Sequence, residues 1–250
     1  MFERRTRIQN VVHVPWEDGD PDDAVRLGAS WLREQPGQRL VLLHTKGMYS
    51  NNPLLPRLTA GAVVERPSTL WRAGWNGGPV LAPWPSEEVL GFVADRLATR
   101  ATGVCVLPWG DEPFVSAWLS AHGAVNLLTG QTNDTGSGDL LPPIVRVAME
   151  HLSRAVNHNN ALVSSFEKSY AVRTLQELRR AGHAFNIDDI CAWALANGFS
   201  TSEVKQLRQY AEQVQAGRGF RLRETVGPKP GAARRWEDEA AAPLSPPARA

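Results

Sequence analysis

The chain has 250 residues, of which 42% are hydrophobic and 21% are charged, and its formal net charge is +1. This composition is typical of a globular protein with one large domain or two small ones, and the balanced charge excludes a chain-wide attraction to nucleic acid or anionic membranes. No apolar run reaches the roughly 18 residues of a membrane span, and none of signal-peptide length follows the basic N-terminus. We therefore expect a cytoplasmic protein without a membrane partner.

The first half of the chain alternates short apolar runs with helical patterns. Strands are predicted at residues 11–14, 39–44, 62–65, 80–82, 103–107 and 124–128, and helices at 22–34, 51–58, 86–99 and 112–121. Strands that alternate with helices indicate right-handed crossovers and a mostly parallel sheet covered on both faces. Residues 1–130 are therefore predicted to form a small three-layer, Rossmann-like α/β domain with an open sheet.

The second half is predicted to be entirely helical. A polar linker at 131–138 leads into a helical domain at 139–222, with helices at 140–156, 161–180, 188–196 and 201–216. From residue 223 to 250 the chain is rich in proline, alanine and charge. Because such a segment buries too little apolar area to offset its ordering entropy, we expect a disordered C-terminal tail.

Three of the predicted strands end in a Pro-Trp pair that acidic residues follow. The pairs are Pro15-Trp16, Pro83-Trp84 and Pro108-Trp109. In a parallel sheet these ends lie on one edge, where open α/β sheets bind ligands. One interpretation is structural, because proline ends a strand while Ser86 and Asp111 cap the following helices. The other is an aromatic pocket for a base, a sugar or a peptide, with acids at its rim that disfavour phosphate.

The second strand has a different end, His44-Thr45-Lys46, which combines a base, a hydroxyl and a cation. It is the best candidate for polar chemistry or for contact with an anionic group, although the same residues also suit a strand cap and a solvated loop. The candidate ligand-binding residues are therefore Trp16, His44, Lys46, Trp84, Trp109 and Asp111.

No catalytic residue, metal site or cofactor is predicted. The chain lacks the patterns of dinucleotide, P-loop, esterase and zinc-protease sites. Its two cysteines, Cys105 and Cys191, lie far apart in predicted apolar elements and have no CxxC partner. We expect both to be buried free thiols, as suits a reducing compartment.

Residues 191–211, CAWALANGFSTSEVKQLRQYA, resemble the generic helix-turn-helix pattern, and the corner is assigned to 187–216. Small or apolar residues occupy the positions where the two helices pack, namely Ala194, Gly198, Phe199, Val204 and Leu207. Gly198 permits the left-handed conformation of the turn. Ser200 or Thr201 is expected to cap the second helix with help from Glu203.

This corner has a DNA-binding and a structural interpretation. As a DNA reader it would direct the start of its second helix to base edges and its arginines to phosphates. The candidate DNA-binding residues are Thr201, Ser202, Lys205, Arg208, Arg218 and Arg221. Any tight αα corner needs the same packing groups, so a helical packing or partner-docking module is the alternative.

Three functions follow from these patterns. The first is a non-catalytic binding or regulatory protein with a small-ligand or protein-partner site at the carboxyl edge of the strands. The second is a DNA-associated regulator that reads DNA through the corner. The third is an enzyme on a nucleotide- or sugar-like substrate that uses His44, Lys46 and an acid such as Asp18 or Asp111. The third ranks last because nucleophile, base and orienter cannot be assembled from known spacings.

Overall fold

The computed structural model describes residues 8–15, 20–132, 140–156, 161–224 and 226–242. Within these residues six strands form one sheet: β1 (Val11–His13), β2 (Leu40–Leu42), β3 (Val63–Glu65), β4 (Gly78–Pro83), β5 (Ala101–Leu107) and β6 (Val125–Asn126). The strand order is β3-β2-β4-β5-β1-β6, and all neighbouring strands are parallel. The predicted open, parallel α/β sheet is confirmed, and a Rossmann-like description is consistent with it.

The central strands are apolar on both sides because both faces of the sheet are covered. Leu81 and Cys105 belong to the core on one face, and Val80 and Val104 to the core on the other. All four are completely buried. Successive side chains of a strand point to opposite faces, so a strand inside such a sheet needs an uninterrupted apolar run rather than an alternating one.

Five helices belong to the first half: α1 (Pro21–Glu34), α2 (Lys46–Asn51), α3 (Leu54–Leu58), α4 (Glu87–Phe92) and α5 (Pro113–Ala121). Helices α1 and α3 cover one face of the sheet, whereas α4, its π-helical continuation Val93–Leu97, and α5 cover the other. The single helix predicted at 51–58 is wrong. The side chain of Asn52 accepts hydrogen bonds from the N–H groups of Leu54 and Leu55, so it starts a new short helix after α2 ends.

Five more helices follow among the described residues: α6 (Pro143–Ala155), α7 (Ser165–Arg180), α8 (Ile187–Ala196), α9 (Thr201–Gln215) and α10 (Ala232–Ala241). Helix α8 packs on α5 and α9 packs on α4, so one apolar core runs from the sheet through α4 and α5 into the helical bundle. The expected boundary near residue 130 therefore separates the alternating strand-helix pattern from the purely helical pattern, but both parts of the chain contribute to one core. Within the described ranges, each helix is too short or too polar to cross a membrane.

The expectation of disorder from residue 223 onward is wrong for residues 232–241, which form α10. This helix packs on α6 and buries Ala232, Ala233 and Trp236. Composition was a poor guide because the few apolar residues of this segment lie on one face of the helix. Residues 243–250, and 133–138 of the expected linker, lie outside the described residues.

Polar contacts also hold α10 in place. The ring nitrogen Nε2 of His151 lies 2.8 Å from the Glu239 carboxylate, and Nε2 of His183 lies 2.8 Å from that of Glu237. The hydrogen bond with His151 lowers the pKa of Glu239. The backbone N–H of Gly231, just before the helix, donates to a carboxylate of α7. Helix α10 is therefore an integral part of the bundle.

Replacing Trp236 tests whether α10 stabilises the fold. Trp236→Ala removes a side chain that is only 3% exposed, and the cavity should lower the free energy of unfolding by about 3–5 kcal/mol. Trp71→Ala is the matched control, because Trp71 is 74% exposed and its loss should cost less than about 1 kcal/mol. Urea unfolding measures both, and equal stability of the two variants would contradict the docked position of α10.

Candidate functional site

The strand order creates a crevice at the carboxyl edge of the sheet. Strand β4 leads through α4 to β5, whereas its neighbour β2 leads through α2 and α3 in the opposite direction to β3. Strand β5 leads through α5 to β6, whereas its neighbour β1 leads through α1 back to β2. Connections that leave neighbouring strands in opposite directions, on opposite faces, open the crevice where α/β proteins bind ligands.

A cleft of about 530 Å³ lies at this edge. We call it the carboxyl-edge cleft. It is lined by Pro21, Met48, Asn51, Asn52, Trp84, Trp109 and Glu112. These residues follow β1, β2, β4 and β5, the four inner strands of the sheet. The topology therefore brings together segments that are separated by up to 91 positions in the chain.

Two of the three predicted tryptophans meet in this cleft. The ring centroids of Trp84 and Trp109 are 5.9 Å apart and their planes are inclined at 81°. This is an edge-to-face arrangement, which the charge distribution of aromatic rings favours. Trp109 is 52% exposed, so the pair is not sealed inside the core. Trp16 and Asp18 lie outside the described residues.

The backbone of Trp84 adopts an unusual conformation. Its φ angle is +48°, in the left-handed region that bulky side chains rarely adopt. Its N–H donates to the carbonyl oxygen of Leu107 at 2.7 Å, which ties it to the end of β5. A residue held in this backbone conformation lowers the stability of the fold by on the order of 1–3 kcal/mol, and such strained residues cluster at functional sites.

His44 and Lys46 are both exposed and engaged with neighbouring side chains. The Nδ1 atom of His44 is 3.2 Å from the Ser86 hydroxyl and 3.8 Å from the Glu88 carboxylate. The ammonium group of Lys46 is 3.0 Å from the carboxylate of Glu65. Burial acts to raise the pKa of Glu65, but hydrogen bonds from Thr69 and Lys46 outweigh it and lower the pKa. Neither residue is among those that line the cleft.

The acidic residues that follow β5 have different positions from those expected. Asp111 is exposed and lies just outside the cleft lining, whereas Glu112 is part of it. The expectation that Asp111 caps α5 is wrong, because the helix begins at Pro113 and Glu112 is its N-cap residue. The corresponding expectation for α4 is confirmed, since the hydroxyl of Ser86 accepts a hydrogen bond from the N–H of Val89.

Five lining residues are not among the ligand-binding residues predicted from the sequence: Pro21, Met48, Asn51, Asn52 and Glu112, the last of which is one of the acids that follow Trp109. Three of them lie in or beside α2, a six-residue helix with no buried residue. A helix that faces the cleft instead of the core leaves no apolar periodicity to detect. The adjacent pair Asn51-Asn52 was the only local signal, since asparagine is frequent where helices end and begin.

The residues predicted to form a helix-turn-helix-like corner lie in α8, in α9 and in the turn between these helices. Gly198 has a φ angle of +91°, as the turn requires. The hydroxyl of Ser200 accepts from the N–H of Glu203, and the Glu203 carboxylate accepts from the N–H of Ser200 at 2.6 Å. The predicted cap with help from Glu203 is therefore confirmed, with Ser200 as the N-cap residue.

Two of the candidate DNA-binding residues are engaged in internal packing. A Cβ atom added to Gly91 of α4 would lie 3.0 Å from the Thr201 side chain, so the start of α9 lies directly against α4. The guanidinium group of Arg208 lies 3.0 Å from Glu87 and 2.7 Å from Asp188. The other four, Ser202, Lys205, Arg218 and Arg221, are exposed.

The helical bundle has a family match. Residues 141–237 are similar to a domain of unknown function (DUF1889). Comparisons with curated proteins and with solved structures find no match. The matched range runs from the residues just before α6 to residue 237 in α10. It therefore covers α6 to α9 and the first part of α10, which includes the buried Trp236, and leaves the sheet and the carboxyl-edge cleft outside.

Among the described residues, the cysteines and the potential metal ligands offer no further reactive site. Cys105 and Cys191 are both buried free thiols, as expected. Burial raises the pKa of Cys191 to about 12 and that of Cys105 even further. Both thiols are therefore protonated and unreactive at neutral pH. In the part of the chain that the structure describes, no three His, Cys, Asp or Glu side chains are grouped as metal ligands.

A double-mutant cycle tests the contact between Arg208 and Glu87. Arg208→Met removes the partner of two carboxylates, and we expect the free energy of unfolding to fall by about 1–2 kcal/mol. Because the pair is partly exposed, at 22% and 39%, its coupling with Glu87→Gln should be about 1 kcal/mol. Lys205→Met on the exposed side of α9 is the control. Additive effects of Arg208→Met and Glu87→Gln would contradict the assignment.

Proposed function

We propose that the protein is a non-catalytic binding protein that holds a small organic ligand in the carboxyl-edge cleft and signals its presence to the helical bundle. The observation that carries this proposal is the meeting of Trp84 and Trp109 in one cleft above the four inner strands. Small-molecule sites of α/β proteins lie in such crevices. They are mostly apolar, with a few polar groups that orient the ligand.

The size and lining of the cleft support ligand binding rather than a structural role in which the tryptophans only cover the ends of the strands. Its volume of about 530 Å³ falls within the range of roughly 300–1,000 Å³ that small-molecule sites occupy. Met48 and the two indole rings supply apolar surface, and Asn51 and Glu112 supply polar groups. The left-handed backbone of Trp84 supports the proposal, because residues in such strained conformations cluster at functional sites.

A direct structural route connects the cleft with the bundle. Trp84 precedes α4 and Trp109 precedes α5, and these are the helices on which α9 and α8 pack. Glu87 in the first turn of α4 is paired with Arg208 of α9, and the Arg208 guanidinium lies 5.6 Å from the centre of the Phe114 ring in α5. A ligand that shifts either indole would therefore shift the surroundings of Arg208.

Ligand titrations followed by tryptophan fluorescence test this function. Nucleosides, sugars, amino acids and organic amines serve as probes, and a binding probe should change the emission of the intact chain. Trp109→Ala should weaken its affinity at least about tenfold, as expected for a central aromatic contact, and Trp84→Ala should do the same. Trp71→Ala, which removes an indole that does not line the cleft, should leave the affinity unchanged. Binding that ignores both cleft variants, or no binding by any probe, would refute the proposal.

A second candidate function is contact with nucleic acid, and one observation favours it. A basic cleft of about 430 Å³ lies between the C-terminal ends of α7 and α9, with Arg179, Arg180 and Arg218 in its lining. Arg179 donates to the carbonyl oxygen of Val214, and Arg180 is paired with Glu177. Arg218 makes no ion pair within the described ranges and is available for a phosphate.

Salt dependence of DNA binding tests this second candidate. The full chain should bind duplex DNA at low salt, with affinity that falls as salt rises because each phosphate contact releases counterions. The double variant Arg218→Ser and Arg221→Ser should bind more weakly and with a slope of log K against log salt that is smaller by about 1–2. Arg33→Ser, an exposed change on α1, is the control. Absence of binding at low salt would end this candidate.

A further inference from the structure

We propose that the ligand of the carboxyl-edge cleft carries an alkylated ammonium group, which the tryptophan pair and Glu112 recognise together. The inference rests on the proposed function and names the chemical class of the ligand. The faces of indole rings are electronegative, and organic cations bind to them most strongly where the cation is shielded from water. An N-alkylated ammonium group combines that charge with an apolar surface, so it contacts rings more readily than a hydrated ammonium ion does.

The angle between the two rings favours a compact group over a flat one. A flat base or sugar that is held between two rings requires parallel faces, whereas the planes of Trp84 and Trp109 are inclined at 81°. In this edge-to-face pair, with centroids 5.9 Å apart, the edge of one ring covers part of a face of the other, and the two rings meet in a corner that suits a roughly spherical group. A trimethylammonium group has this shape.

Glu112 provides a negative charge beside the rings. It lines the same cleft and is exposed, and although it is the N-cap residue of α5, its side chain makes no capping hydrogen bond. Its carboxylate makes no ion pair in the part of the chain that the structure describes. A carboxylate beside an aromatic pair attracts a cation through charge, and this attraction also acts on an ammonium group that has no hydrogen-bond donor.

The charges around the cleft also favour a cationic ligand. The basic side chains near the starts of α1 and α2, which begin at this edge, are paired with acids: Arg26 with Asp22 and Asp23, and Lys46 with Glu65. None of the described residues that line the cleft is basic. Glu112 is therefore the one charged residue of the described lining, and its negative charge attracts a cation and repels a phosphate or a carboxylate.

The remaining lining accommodates the rest of such a ligand. Met48 and Pro21 offer apolar surface to the alkyl groups. The side-chain oxygen of Asn52 is occupied by the N–H groups of Leu54 and Leu55, so Asn51 is the amide available to a polar substituent. A volume of about 530 Å³ exceeds that of the ammonium group, which leaves room for a chain attached to it.

Calorimetric titration with a charged probe and its uncharged analogue tests the inference. Choline and 3,3-dimethylbutan-1-ol have the same shape, but a carbon atom replaces the charged nitrogen in the second. We expect the intact chain to bind choline at least about tenfold more tightly than the alcohol, because only the cation is attracted by ring faces and carboxylate. Nε-trimethyl-lysine should likewise bind more tightly than lysine.

Two variants and a control complete the design. Glu112→Gln keeps the shape of an exposed side chain and should weaken choline binding about fivefold or more, while Trp109→Ala should weaken it about tenfold. Glu34→Gln, which removes an exposed acid at the other end of α1, should have no effect. The Glu112 variant is informative even if removal of an indole impairs folding.

The possible results separate this inference from the function on which it rests. Equal affinity for choline and its neutral analogue would overturn the cation preference and leave the binding function intact. The same conclusion follows if only uncharged ring compounds bind and the tryptophan variants abolish that binding. If no probe binds in a way that depends on Trp84 or Trp109, both the ligand class and the binding function are refuted.

Discussion

The organisation of this protein depends on two helices that are apolar on more than one side. In α5, six of nine residues are buried: Phe114, Val115, Ala117, Trp118, Leu119 and Ala121. A helix that is apolar nearly all round must be covered on all sides, and the sheet covers only one. Helix α4 with its π-helical continuation also needs cover on the side that faces away from the sheet. The helical bundle supplies the missing cover, which explains why the sheet and the bundle share one core.

The same helices determine what the cleft is connected to. Each of them begins a few residues after one of the two cleft tryptophans, and each is packed between the sheet and the bundle. The paired carboxylate and guanidinium of Glu87 and Arg208 form a polar contact within this largely apolar boundary. Packed interiors resist small displacements, so the signal that we propose between the cleft and the bundle would pass through these two helices.

The sequence predicted the individual strands and helices better than the contacts between them. Strand and helix patterns correctly indicated an open parallel sheet, and Pro83-Trp84 and Pro108-Trp109 correctly marked its carboxyl edge. The strand order that brings the rings together depends on contacts between distant segments, which no local pattern contains. Arg208 illustrates the same limit, because its partner Glu87 lies 121 positions away. Helix α10 was missed for another reason: composition averages over a segment and hides the single face on which Trp236 lies.

The left-handed backbone of Trp84 sets backbone strain against side-chain packing at one position. Glycine adopts this conformation without strain, whereas tryptophan does so at a cost on the order of 1–3 kcal/mol. The indole offsets that cost, because it is half-buried and packs against the core that α1 and α3 share with the sheet. Replacing Trp84 by glycine would therefore relieve the backbone and remove the packing at once, so the stability of such a variant reports the difference between the two.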